Sequence, residues 1–402
     1  MPRILVCTLL ALSPALVAAD LSPSVSYGPR PAYLIDKMPE GELKSTLQAC
    51  AAQTPAPSTF SIGHRGAPLM FPEHTVESNV AAARMGAGIL ECDVTFTKDL
   101  ELVCRHAQND LHTTTDILTS DLASTCITPF TPANGDTPAN AECRTSELTL
   151  EEFRTLTPKM DSADKTAITP EDYQGGVAGH RTTLFADQAR TMTHAESIAL
   201  FKSLGAKFTP ELKSPVVDMP FNGFSQADYA QKMIDEYKAA GISPGDVWPQ
   251  SFNLQDVLYW IENEPEFGKQ AVYLDASFRA KGFDHTDPAT FPMDFAALHA
   301  KGVNYLAPPI WMLLAVEDGK IVPSPYATEA RAAGLELITW TLERSGPLTS
   351  GGGWYFQSVA ELTKNDSMYY QVLDVLAQDV GVKGVFSDWP ATVTYYANCM
   401  GL

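Results

Sequence analysis

Residues 61–75 read SIGHRGAPLMFPEHT: a short apolar run stops at Gly63, and two histidines, an arginine and a glutamate crowd in behind it. Core packing does not ask for titratable groups where a strand ends. A barrel of parallel strands does, because its chemistry gathers at the C-terminal ends of the strands. The rest of the chain repeats this arrangement. Runs rich in Val, Ile, Phe and Tyr recur at about 59–63, 88–94, 207–213, 247–252, 271–275, 303–307, 335–341 and 384–388. Segments of helical spacing separate them, at 75–87, 193–205, 225–240, 254–264, 294–301, 326–333, 368–379 and 390–398. The segment THAESIALFKSLG opens with a Thr193/Glu196 capping box and stops at Gly205. Eight such units predict an α/β fold, a (β/α)8 TIM barrel. The other strand ends are polar too: LECDV carries Glu91 and Asp93, FTPELK carries Glu211 and Lys213, WPQSF carries Gln250 and Ser251, TWTLE carries Trp340, and FSDWP carries Asp388.

A chain of 402 residues, 45% hydrophobic and 19% charged, is large enough to bury such a core. Residues 1–19 read as a secretory signal peptide, with Arg3, an apolar run and small residues at the cleavage point. Residues 20–58 are a Pro-rich extension expected to wrap the barrel, which occupies 59–402. Within it, 107–206 is read as an ordered insertion after the second strand, placed to cap the site and select a ligand. The net charge of −20 argues against nucleic acid or an anionic membrane as main partner. No later apolar run reaches membrane-spanning length, so the expected location is secreted or periplasmic. Oligomeric state is not readable. Beyond Cys7, six cysteines remain, an even number that fits an oxidising compartment. Cys126 and Cys143 bracket a Pro/Asn/Gly-rich loop and are expected to pair; no C-x-x-C spacing points to a thiolate metal site.

ECDVTFTKDLELVCRHA reads as a hairpin extending the second strand, with its turn at Asp99 and Leu100. That register places His106 opposite Asp93 and puts Glu91, Asp93 and His106 on one face. It turns Cys92 to the other face, so Cys92 and Cys104 are not expected to bond.

The ordered set HRGA, PEHT, ECDV with TKD, VCRHA and ELK, ending in TWTLE and GVFSDWPA, resembles the glycerophosphodiester phosphodiesterase family over roughly 59–398. The resemblance implies a barrel hydrolase that uses a divalent cation to split a small-molecule glycerophosphodiester into glycerol phosphate and an alcohol. It casts His64 and His106 as the acid/base pair and Glu91, Asp93 and Glu211 as metal ligands. Arg65, Lys213 and Trp340 become phosphate or substrate contacts. Glu73 either braces Arg65 or caps the first helix. The chemistry of these groups agrees. Oxygen-only ligands suit Ca²⁺ or Mg²⁺, a hard cation stabilises the charge that develops on phosphate oxygens, and histidine moves protons near neutrality. Arg65 offers a planar fork for phosphate oxygens. One position departs from the family pattern: Ala107 follows His106 where an Asp is usual, so His106 needs another partner. His74, His112, His180, His194, His285 and His299 match no motif and are read as structural or surface groups. Rival readings are a sphingomyelinase D-like or lysophospholipase D-like lipase and a non-catalytic secreted binding protein. SPVVDMPFNGF bears on the lipase reading; its Val216, Val217, Met219, Phe221 and Phe224 are expected to pack under the insertion rather than face acyl chains.

Overall fold

In the computed structural model, which describes residues 24–402, every expected barrel strand forms. The signal-peptide segment lies outside the described residues. In chain order the strands are β1 (Ser58–Gly63), β2 (Ala87–Phe96), β3 (Leu102–Cys104), β4 (Thr128–Thr131), β5 (Asn140–Glu142), β6 (Lys207–Leu212), β7 (Gln250–Ser251), β8 (Val272–Leu274), β9 (Tyr305–Ala307), β10 (Leu314–Glu317), β11 (Lys320–Pro323), β12 (Glu336–Leu342) and β13 (Gly384–Ser387). Strands β1, β2, β6, β7, β8, β9, β12 and β13 pair in parallel, and the ring closes because β1 pairs with β13 on one side and β2 on the other. Such strands are covered on both faces, and every residue of β2 is buried. Ile62, Ile89, Val272, Leu274, Ala307, Ile338 and Phe386 cluster inside the barrel. A larger cluster fills the layer between strands and helices. The helix His194–Ser203 carries the expected Thr193/Glu196 capping box.

The hairpin register differs from the expected one. Val94 pairs with Cys104, and the Arg105 amide donates to the Asp93 carbonyl at 2.8 Å. The turn is a three-residue loop, with Thr97 N–H bonded to the Glu101 carbonyl and Leu100 in the left-handed region at φ 66°. One extra loop residue shifts the pairing by one. Cys92 and Cys104 therefore share a face and form a disulfide, Cα atoms 5.2 Å apart. The sequence expectation that they stay unbonded is overturned, as is the placement of His106 opposite Asp93. His106 lies two residues past the end of β3, outside the ladder.

Cys126 pairs with Cys143 as expected, and Cys50 with Cys399. The second of these ties the extension, with its helices Arg30–Asp36 and Glu42–Ala49, to the last helix, Ala391–Met400. The insertion has a core of its own, built on Leu111, Ile117, Leu148, Phe153 and Tyr173. Phe221 and Phe224 do not pack into that core. They close on Phe96, ring centroids 5.7 and 5.6 Å away, and join the barrel's cluster, so the expected packing under the insertion is corrected.

Candidate active site

The turn after β1 sets the site. Arg65 and Gly66 both have positive φ, 55° and 94°, and a Cβ at 66 would lie 2.3 Å from the Ser78 hydroxyl, so only glycine fits there. Ser78 locks the turn by accepting from the Ala67 amide at 2.8 Å and donating to the Arg65 carbonyl at 3.2 Å. His64 and Arg65 then face a cavity of about 520 Å³ at the C-terminal ends of the strands, together with Glu91, His106, Glu211, Lys213 and Trp340. Asp93 and Glu73 are buried just behind this wall.

Glu91 and Asp93 on β2 and Glu211 on β6 each offer an oxygen within 4.8 Å of the others. Parallel pairing produces this directly, since Asp93 is the register partner of Glu211. Glu91 accepts from the Arg65 amide at 2.8 Å and from Gln250 Nε2 at 2.9 Å. Asp93 Oδ2 is held by His74 Nε2 at 2.9 Å, while its buried Oδ1 has no partner. Burial and the repulsion of Asp93 and Glu211 push the Glu91 carboxyl well above its ordinary range. Burial also raises Glu211 to about 7, although Lys213 Nζ lies 2.6 Å from it. Three crowded oxygen donors, one of them unpartnered, fit a hard divalent cation.

His64 stands beside a carboxylate that sequence reading placed at a strand end without giving it a role. Its Nδ1 lies 2.6 Å from Asp388 Oδ1, at the end of β13. Burial opposes ionisation of Asp388, but Arg344 and His64 outweigh it and hold the carboxyl far below its usual range. An ionised carboxylate only accepts, so Nδ1 carries the proton and Nε2 is left free to take one. Burial, reinforced by Arg65, brings the imidazolium of His64 down to about 4. Glu73 resolves its two readings in favour of a brace: it binds Arg65 Nη1 at 3.0 Å and Arg344 Nη2 at 3.1 Å. The helix cap is Thr75, whose hydroxyl accepts from the Ser78 amide.

His106 also lines the cavity, and burial followed by Arg65 and Lys213 lowers its imidazolium well below the ordinary value. Two carboxylates stand near it in space. Asp110 and Glu73 both bring a carboxylate oxygen within 4.8 Å of an imidazole nitrogen of His106. His74, read as structural, is fully buried and orients Asp93. Residues unseen as site groups in the sequence are Arg344, two residues past β12, and Arg181 and Asp161 from the insertion. No motif marks them. The far wall is aromatic, with Phe252, Phe278, Trp340, Trp354 and Tyr355 in mutual contact; Trp340 stacks on Trp354 at 5.9 Å.

The family model for the glycerophosphoryl diester phosphodiesterase family matches residues 64–392. A curated "Extracellular protein" of Arthroderma benhamiae is 45% identical over 249 residues, 60% of this chain and all of that one. A glycerophosphodiester phosphodiesterase of Haemophilus influenzae is 25% identical over 82% of this chain and 87% of its own. A solved structure from Silicibacter pomeroyi, assigned by name to the same family, superposes with a TM-score of 0.56 at 19% identity, covering 89% of this chain and 98% of the other. That likeness bears on the fold and agrees with the barrel. A match that begins at His64 and runs through Asp388 takes in both histidines and all three clustered carboxylates, and on it the chain belongs to the glycerophosphoryl diester phosphodiesterase family, an enzyme that hydrolyses phosphoric diesters.

Proposed function

We propose that the protein is a secreted, divalent-cation-dependent glycerophosphodiesterase in which His64 and His106 exchange protons with the substrate. The observation that carries this reading is the convergence of both histidines and the carboxylate cluster on one cavity. Glu91, Asp93 and Glu211 would hold Ca²⁺ or Mg²⁺, which when bound supplies positive charge to the phosphate oxygens as the diester is broken. Arg65 and Lys213 flank the same position and add donors for those oxygens. His64, with Nε2 free, accepts the proton of the glycerol hydroxyl next to the phosphorus ester. That oxygen attacks phosphorus and forms a cyclic phosphate, and His106 gives a proton to the departing alcohol. Water then opens the ring with the histidine roles reversed. Trp340 and its aromatic neighbours bound the side away from the charged groups.

The paired cysteines and the leader-like first residues support export. No helix among the described residues is long and apolar enough to cross a membrane. Because Phe221 and Phe224 are spent on the barrel's own packing, they offer acyl chains no lip, and deacylated diesters are the expected substrates. The test measures glycerol phosphate release from glycerophosphocholine and glycerophosphoethanolamine beside the matching lysolipids. Expected is a higher kcat/KM for the deacylated compounds, abolished by exhaustive chelation and restored by Ca²⁺ or Mg²⁺. Full turnover by metal-free protein would end the cation reading. A clear preference for lysolipid, lost in a Phe221→Ser, Phe224→Ser variant, would move the enzyme to the lipase class.

A further inference from the structure

We propose that the insertion completes the catalytic centre, and that Arg181, reaching in from it, is a positioning residue that holds Asp388 in the orientation from which Asp388 aims His64. The inference rests on the reading of His64 as a proton-transfer group.

Asp388 is fully buried and its two oxygens are divided between partners. Oδ1 takes His64. Oδ2 takes Arg181 Nη2 at 3.0 Å and Arg344 Nη1 at 3.2 Å. Arg344 comes from the barrel, after β12, whereas Arg181 comes from the insertion, and its side chain is only 3% exposed. Asp161, also from the insertion, bridges the two cations: it pairs with Arg181 Nη1 and lies 3.0 Å from Arg344 Nη2. The chain on either side of Arg181 is pinned over the site. His180 Nε2 donates to the Arg344 carbonyl at 3.1 Å, Phe185 stacks on Phe71 at 4.9 Å, and Arg190 Nε binds Glu77 at 2.8 Å.

A buried carboxylate rotates about its last bond unless both oxygens are occupied, and here the rotation is stopped by two forks arriving from different parts of the chain. The orientation of the imidazole is set by the carboxylate behind it, as in other carboxylate-histidine pairs. Arg344 supplies one of the two donors to Oδ2 while its other amino group serves Glu73 and Asp161, and Arg181 supplies the shorter second one. An insertion that merely decorated the surface would have no reason to bury an arginine against Asp388.

The experiment uses the full-length, metal-supplied enzyme as wild type and as Arg181→Ala, Arg181→Lys and His64→Ala, each checked for cooperative unfolding, with kcat, KM and the pH profile of kcat/KM measured on glycerophosphocholine. The charged groups facing His64 and Asp388 are Arg65, Arg181 and Arg344, with Glu73 and Asp161 behind the arginines. Removing the Arg181 charge leaves Asp388 freer to favour the imidazolium, so Arg181→Ala should move the acid limb upward and lower kcat about 10-fold or more, with a smaller change in KM. Arg181→Lys keeps the charge but not the fork; its acid limb should match wild type and its kcat should fall between the two. Wild-type kcat and acid limb in Arg181→Ala overturn the inference, and so does a kcat loss with an unmoved limb that lysine fails to improve. If Arg181→Ala does not fold, Arg181→Lys decides alone: unchanged kcat overturns the proposal. His64→Ala separates the two levels. A near-normal rate there removes the underlying reading, while an inactive His64→Ala beside an unaffected Arg181→Ala removes only this inference.

Discussion

His64 takes its character from where it sits. A free imidazole titrates near 6.5, but this one is buried beside Arg65, and both effects disfavour the charged form. A general base works while neutral, so its contribution is present at higher pH and is lost as pH falls through its own value. The acid limb of kcat/KM is therefore expected near about 4 rather than 6.5. A limb at 6.5 in the metal-supplied enzyme would show that His64 is not the base. Asp388→Asn should lower kcat on the order of 10²-fold or more without unfolding the barrel, because an amide can present its NH2 group to Nδ1 and select the wrong tautomer. Turnover within a few-fold of wild type would remove Asp388 from the machinery. His64, Glu91, Asp93 and Glu211 were legible as strand-end polar groups. Arg344, Arg181 and Asp161 were not, since a single arginine or aspartate in a loop has no spacing that distinguishes it from a solvated one.

The barrel strands were readable as elements because strands enclosed on both faces are nearly continuous apolar runs. The β2–β3 hairpin exposes the weak point of that reading. Its existence was plain, but its register depended on Leu100 adopting a left-handed conformation that sequence signals reserve for Gly, Asn or Asp. One residue of error reversed the faces and hid the Cys92–Cys104 bond. The corrected pairing makes a prediction. A Cys92→Ser, Cys104→Ser variant should lose about 3 kcal/mol of stability in denaturant, the scale expected for closing a short loop. Its kcat should be unchanged, since Cys92 alternates away from Glu91 and Asp93. Peptide mapping under non-reducing conditions should find the pair, and a free thiol at either position would restore the original register. The short β4–β5 and β10–β11 ribbons leave no such signal, because three or four residues within a loop carry too little alternation to read.

Over the molecule as a whole, three buried carboxylates are brought together by strands whose residues are far apart in sequence, against their mutual repulsion. A cation that relieves this repulsion binds the folded state alone and must stabilise it, by about 2.7 kcal/mol at one hundred times Kd. Ca²⁺ or Mg²⁺ is therefore expected to raise Tm by several degrees over chelated protein, and Glu91→Gln to blunt the response. An identical Tm with and without either ion would mean that the cluster holds no cation. Hydrophobic period and the polar strand ends were enough to predict the barrel, and the resemblance of the ordered motifs to a known family was enough to suggest that family and to single out His64, His106, Glu91, Asp93 and Glu211 as candidates, because these signals are patterns only a few residues long. Folding alone decided what each group faces. The pairing of Cys92 with Cys104 rests on the register of one hairpin, and the nearness of Asp110 to His106 on the turn in which Asp110 accepts from the Ala107 amide. The seating of His64 on Asp388 and the arrival of Arg181 from the insertion join segments far apart in the chain, and they are set by closure of the barrel and by how the insertion packs on it, neither of which leaves a local mark in the chain.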